Sequence, residues 1–197
     1  MSEGSGRERE TDEALMQAFR GGSSEAFEEV YRRYRQAIHG FFRRRVARAE
    51  VAEELAQETF LAVYRARERY EARATFRTYL YAVALGILRA QRRKAMFRAA
   101  FFGEPKKQER GERAGTEEGV WVREAVGKLG RMEREILMLR EYEELSYAEI
   151  AEVLRVPVNT VRSRLFRARM ALRELLEPGK ERAGAAAGEL AKRGERA

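Results

Sequence analysis

Residues 146–173 carry the pattern that most limits what this chain can fold into. Ser146, Tyr147, Ala148 and Glu149 spell a capping box: the Ser hydroxyl can accept from the Glu149 amide while the Glu carboxylate returns to the Ser146 amide. Tyr147, Ile150, Ala151 and Leu154 then recur at helical spacing as an inner face. Pro157 cannot continue that helix but suits the first turn of another, so two helices joined by a short turn are predicted. In the second helix Val158, Val161, Leu165, Ala168 and Leu172 repeat in steps of three and four. The opposite face presents Asn159, Thr160, Arg162, Ser163, Phe166, Arg167 and Arg173. Between Val158 and Arg173 there are five Arg and no acidic residue. An Arg-rich face is often only solvated surface. Here it coincides with a capped helix and a short turn, and the combination is a helix-turn-helix whose second helix suits a DNA major groove. Arg can pair bidentately with guanine edges, Phe can touch a thymine methyl, and flanking Arg can meet phosphates.

The rest of the chain predicts helices as well. Ala, Leu, Glu and Arg dominate, only three Pro occur, and alternating Val, Ile or Thr windows are few. A first helix is expected after Asp12 as N-cap and ends at Gly21 and Gly22. A second follows Ser23 or Ser24, burying Phe27, Val30, Tyr31, Tyr34, Ile38, Phe41 and Phe42. A third, over about 51–66, has Leu55, Thr59, Val63 and Ala66 on one stripe and an acidic outer face of Glu53, Glu54, Gln57 and Glu58. A fourth begins near Thr75 and buries Phe76, Leu80, Val83, Ala84, Ile87 and Leu88. Two short helices, around Val120 to Leu129 and Glu133 to Tyr142, precede the helix-turn-helix. The expected organisation is all-α: two small helical domains, 12–96 and 120–177, joined by a flexible linker over 97–119, with disorder expected in 178–197.

Composition removes several classes of function. There is no Cys, hence no disulfide framework or thiolate metal site, and His39 is the only histidine, so neither a His metal cluster nor a Ser-His-Asp triad can be assembled. No Gly-rich phosphate loop follows a strand. Trp121, between Val120 and Val122, reads as a packing anchor. No metal, no cofactor, no small-molecule substrate and no enzymatic reaction are expected. Forty Lys and Arg against thirty-two Asp and Glu leave a formal charge of +8, which favours a polyanionic partner. The polar start of the chain and the lack of a long apolar run predict a soluble, cytoplasmic protein.

The stretch LSYAEIAEVLRVPVNTVRSRLFRAR over 145–169 resembles domain 4 of extracytoplasmic-function (ECF) sigma factors. LGRMEREILMLR over 129–140 resembles the helix ahead of that domain's helix-turn-helix. AEELAQETFLAVYRA over 52–66 is similar to the polymerase-binding helix of sigma domain 2, and TFRTYLY over 75–81 to the start of that domain's last helix. The resemblance spans about 12–176 in family order. It implies a dissociable initiation subunit whose partners are bacterial core RNA polymerase, promoter DNA and an anti-sigma factor. It further implies core-polymerase contacts from Glu54, Leu55, Gln57, Glu58 and Phe60, minus-10 contacts from Arg73, Thr75, Phe76 and Arg77, and minus-35 reading by the 159–173 face named above. Two other readings fit the residues: a free-standing helix-turn-helix regulator, and a sigma-like interaction protein that opens no promoter. Several positions depart from the family pattern. Tyr79 stands where Trp is common, Leu85 and Gly86 where an Arg-Asn pair is familiar, Ala90 where Asp is common, and Gly130 where Pro is. Arg155 stands in the turn where Gly is usual; since a left-handed non-Gly residue costs on the order of 1 kcal/mol, the turn is expected to avoid that conformation.

Overall fold

A computed structural model describes residues 10–102 and 117–176. Among them are eight α-helices, one 3-10 turn and no strand. The first group is α1 (Asp12–Arg20), α2 (Ser24–Arg43), α3 (Ala49–Arg65), the 3-10 turn Arg67–Arg69, and α4 (Phe76–Phe102). The second is α5 (Glu117–Lys128), α6 (Arg131–Glu141), α7 (Tyr147–Leu154) and α8 (Val158–Leu176). No helix among the described residues is long and apolar enough to cross a membrane.

The first helix starts one residue earlier than expected. Thr11, in extended conformation, accepts from the Ala14 amide and is the N-cap. Asp12 is thereby inside the helix, and its carboxylate instead accepts from Arg33 of α2 at 2.7 Å and from the Tyr34 hydroxyl. Ser23 caps α2 by accepting from Ala26, and Gly22 makes the preceding turn with φ +106°. Helices α1 to α4 close around Met16, Val30, Ile38, Phe41, Phe42, Val63, Leu80 and Leu88, all fully buried. Burial of each such side chain is worth about 1.5–3 kcal/mol, which is what orders these helices. Tyr31, expected on the buried face, is instead half exposed and lies edge-on against Phe60.

At its far end α4 outlasts the first core. It runs through Phe97 to Phe102, where the composition predicts linker, with Met96, Phe97 and Phe101 exposed and the rings of Phe97 and Phe101 stacked at 4.2 Å. A run of Arg, Lys and Ala favours helix whether or not it has a face to bury, so the loss of the apolar stripe and the charged composition do not end α4. At the other end α5 already begins at Glu117. The remaining linker positions, 103–116, and the expected tail lie outside the described residues.

In the second group α6, α7 and α5 pack on α8 around Ile136, Leu139, Leu145, Ile150, Val161, Leu165 and Ala168. Arg134 of α6 ends α5, donating to the carbonyls of Val126 and Leu129, each at 3.0 Å, and to that of Gly127. Both halves of the capping box form: Ser146 accepts from the Glu149 amide at 3.2 Å and donates its own amide to the Glu149 carboxylate at 2.8 Å. The turn does not avoid the left-handed region. Arg155 sits at φ 57°, ψ 51° as the C-cap of α7, its amide returning to the carbonyl of Glu152 at 3.2 Å. The short passage into Pro157 and α8 requires that geometry.

Candidate nucleic-acid interface

Helix α8 is held by one face and open on the other. Val161, Leu165 and Ala168 are buried, while Asn159, Arg162, Ser163, Phe166 and Arg167 are exposed, Phe166 by 65%. Thr160 is half-buried and closer to the turn, and its carbonyl accepts from the Ser163 hydroxyl at 3.1 Å. Arg173 is exposed one turn further on. Not all five arginines belong to this face: Arg164 pairs with Glu133 and Arg169 with Glu141, each at 2.7 Å. Sequence reasoning missed Met170, 39% exposed, which prolongs the row 159, 162, 163, 166, 167 by one more helical step. What remains is a row about three turns long with two guanidiniums, an aromatic ring and short polar groups, a surface able to approach base edges and phosphates together.

The loop before α4 is arranged otherwise. Thr75 caps α4, its hydroxyl accepting from the Thr78 amide at 3.2 Å, while Glu13 of α1 accepts from the Phe76 amide at 2.7 Å. Phe76 is fully buried, edge-on to Tyr34 and Tyr70, and has no ring face to offer a base as it stands. Arg73 is exposed and pairs with Glu71 at 2.6 Å. Arg77 donates to the carbonyl of Glu143, and the hydroxyls of Thr75 and Thr78 approach the Glu149 carboxylate at 3.5 and 3.4 Å. The first turn of the helix-turn-helix therefore lies directly over this loop. Glu149 is held below the usual carboxylate range: burial opposes this, and the hydrogen bonds from Ser146, the Arg77 charge and Thr78 outweigh it.

A buried ion network locks the two groups together behind that contact. Glu143, 1% exposed, accepts from Arg44 at 2.8 Å and Arg45 at 3.0 Å, and Arg45 also donates to Glu135 at 2.9 Å. The Arg45 guanidinium lies over the Phe41 ring, 3.7 Å from its centroid. Burial first, then the nearby Glu143 charge, pushes the Tyr81 hydroxyl up to about 12. None of this was visible in the sequence, where Glu143 is one more acid in a charged turn.

On α3 the expected polymerase contacts divide. Glu54, Gln57 and Glu58 are exposed, whereas Leu55 and Phe60 are in the core and shape that face from beneath. Leu61 and Tyr64, half exposed on the same outer row, were not anticipated. Their signal was a Leu lying off the buried stripe.

Comparison with known proteins gives two family matches, Sigma-70 region 2 over residues 30–97 and Sigma-70, region 4 over 119–172. The chain is 35% identical to the RNA polymerase sigma-H factor of Pseudomonas aeruginosa, with 86% of this chain and 96% of that protein covered. It is 30% identical to the ECF RNA polymerase sigma-E factor of Haemophilus influenzae, over 87% of this chain and 98% of that one. Among solved structures it is similar to the sigma factor RpoE in complex with the anti-sigma factor NepR from Bartonella quintana. There the TM-score is 0.63 at 21% identity, with 78% of this chain and 98% of that one covered.

Proposed function

The chain belongs to the extracytoplasmic-function sigma factors of the sigma-70 family, and on that premise we propose which of its residues meet DNA and polymerase. A sigma factor is a dissociable initiation subunit: it directs core RNA polymerase to promoters and catalyses no reaction itself. The α8 row of Asn159, Thr160, Arg162, Ser163, Phe166 and Arg167 reads the minus-35 element, with Arg173 on a neighbouring phosphate. The observation that carries this reading is the exposed row itself, in which Arg162 and Arg167 have no ion pair among the described residues. Domain 4 spans 120–177 and domain 2 spans 12–96. The outer face of α3, with Glu54, Gln57, Glu58 and the adjoining Leu61 and Tyr64, docks on core polymerase, while Leu55 and Phe60 hold that face in shape. Arg73, Thr75 and Arg77 meet the minus-10 strand, and Phe76 supports their loop from within.

Simultaneous reading of both elements requires the two groups to part. Some 25 base pairs at 3.4 Å each separate the elements by roughly 85 Å. A compact chain of this length has a radius of gyration of about 16 Å and cannot reach across. The packed arrangement with Glu149 on Thr75 and Thr78 is thus the form before promoter engagement, and a form an anti-sigma factor can hold. Action with the polymerase places the protein in the cytoplasm. The test is run-off transcription: purified chain added to bacterial core polymerase is expected to yield a promoter-specific transcript. Tight binding to the promoter duplex without core, and no transcript with it, would overturn the assignment in favour of a free-standing regulator.

A further inference from the structure

Between the end of α2, the middle of α4 and the start of α6 lies a cleft of about 400 Å³, lined by Arg44, Arg45, Arg92, Arg131, Arg134 and Glu135. Three of these cations come from the first group of helices and two from the second. Even with Glu143 counted, five guanidiniums face two carboxylates, and both carboxylates are engaged by Arg44 or Arg45. Two buried donors have no protein acceptor, Nε of Arg44 and Nη2 of Arg45, and the Arg45 side chain is 1% exposed. Arg92 and Arg131 make no ion pair or hydrogen bond with the described residues. Burial, with repulsion from Arg131, Arg45 and Arg134 and opposition from Glu135, holds the Arg92 guanidinium below its ordinary value. A packed protein rarely leaves buried guanidinium donors unanswered beside four like charges, because each unmet donor costs free energy and the charges repel.

We infer that this cleft is a binding site for an oligophosphate anion, pyrophosphate or the diphosphate group of a nucleotide, gripped by arginines of both helical groups at once. The planar guanidinium pairs bidentately with phosphoryl oxygens. Two adjacent phosphoryls can engage Arg92 on one wall and Arg131 on the other, with the buried Arg45 guanidinium adding positive charge behind them, and the volume admits a nucleotide diphosphate. An anion held this way staples the two groups in the packed arrangement. The site does not depend on the promoter-reading assignments and is tested without them.

The experiment is calorimetric titration of pyrophosphate into the full chain at fixed ionic strength, with citrate as a polycarboxylate of similar charge and sodium sulfate as a simple divalent anion. One saturable site is expected, with citrate and sulfate at least tenfold weaker. Arg92→Gln and Arg131→Gln should each weaken pyrophosphate about tenfold or more. Neither change removes a partner from a carboxylate, so both variants should fold with unchanged or higher thermal stability. Arg35→Gln, on the exposed side of α2, should bind as the parent does. Absence of saturable binding, affinities unchanged in both cleft variants, or citrate binding as tightly as pyrophosphate would each overturn the proposal.

Discussion

The face of α8 and the loop before α4 were both expected to meet DNA, and they differ in what holds them. The α8 row is the side of a helix left over once Val161, Leu165 and Ala168 have been buried, so its membership follows from a period of 3.6 residues. The loop before α4 takes its shape from elsewhere: Glu13 caps its helix, Phe76 anchors it in an aromatic cluster, and Glu143 and Glu149 cover it from another part of the chain. A functional surface defined by one helix can be read locally. A surface defined by tertiary cover cannot, and it is also the one whose exposure is conditional.

The strongest way to break this contrast is to remove the cover. Glu143→Ala leaves Arg45 buried with Glu135 as its remaining carboxylate partner, and loss of one member of a buried ion network typically costs about 3–5 kcal/mol. The expected outcome is a larger radius of gyration by small-angle scattering, with helix content retained and a lower melting temperature. If scattering and melting both match the parent, the network is not what joins the groups. On the open surface, Arg167→Ala should cost about 1–3 kcal/mol in promoter affinity and relax base preference at one position. Arg173→Ala should weaken all sequences alike and reduce the salt slope by about one. Binding measured across single-base promoter variants and several salt concentrations separates the two; unchanged base preference in Arg167→Ala removes it from the reading set.

The helices themselves were legible wherever an apolar stripe and a cap coincided. Ser146 with Glu149, Ser23, and the break at Pro157 are local chemistry, and the structure places each as the residues require. Asp12 failed as an N-cap because Thr11 beside it can do the same work, and only the contact with Arg33 and Tyr34 decides between them. Leu55, Phe60 and Phe76 read as contact residues from the resemblance, yet their own apolar character buries them. Leu85 behaves in the same way: at 1% exposure it is a core residue of α4, as its apolar character requires. The arginine cleft brings Arg44 and Arg45, Arg92, and the i,i+3 pair Arg131 and Arg134 together from three separate segments, a meeting no local pattern encodes.

Two smaller changes sharpen the contrast from the backbone side. Arg155 holds a left-handed conformation that disfavours any side chain with a Cβ, by roughly 1–2 kcal/mol. Arg155→Gly should therefore stabilise the helix-turn-helix, less the entropy Gly loses on folding, by about 1 kcal/mol in denaturant unfolding, with promoter affinity kept. A destabilised variant would mean that the Arg side chain contributes more than its backbone costs. Gly86 lies in the interior of α4, exposed, and a Cβ built there meets nothing within 4 Å. Gly86→Ala should then gain slightly under 1 kcal/mol from helix propensity alone. Because its neighbours Leu85 and Leu88 are buried, this gain is expected only if α4 keeps its present register on the core. A loss of stability on Gly86→Ala would show that the exposed side of α4 is not the side assigned to it, and with it the placement of the minus-10 loop would fall.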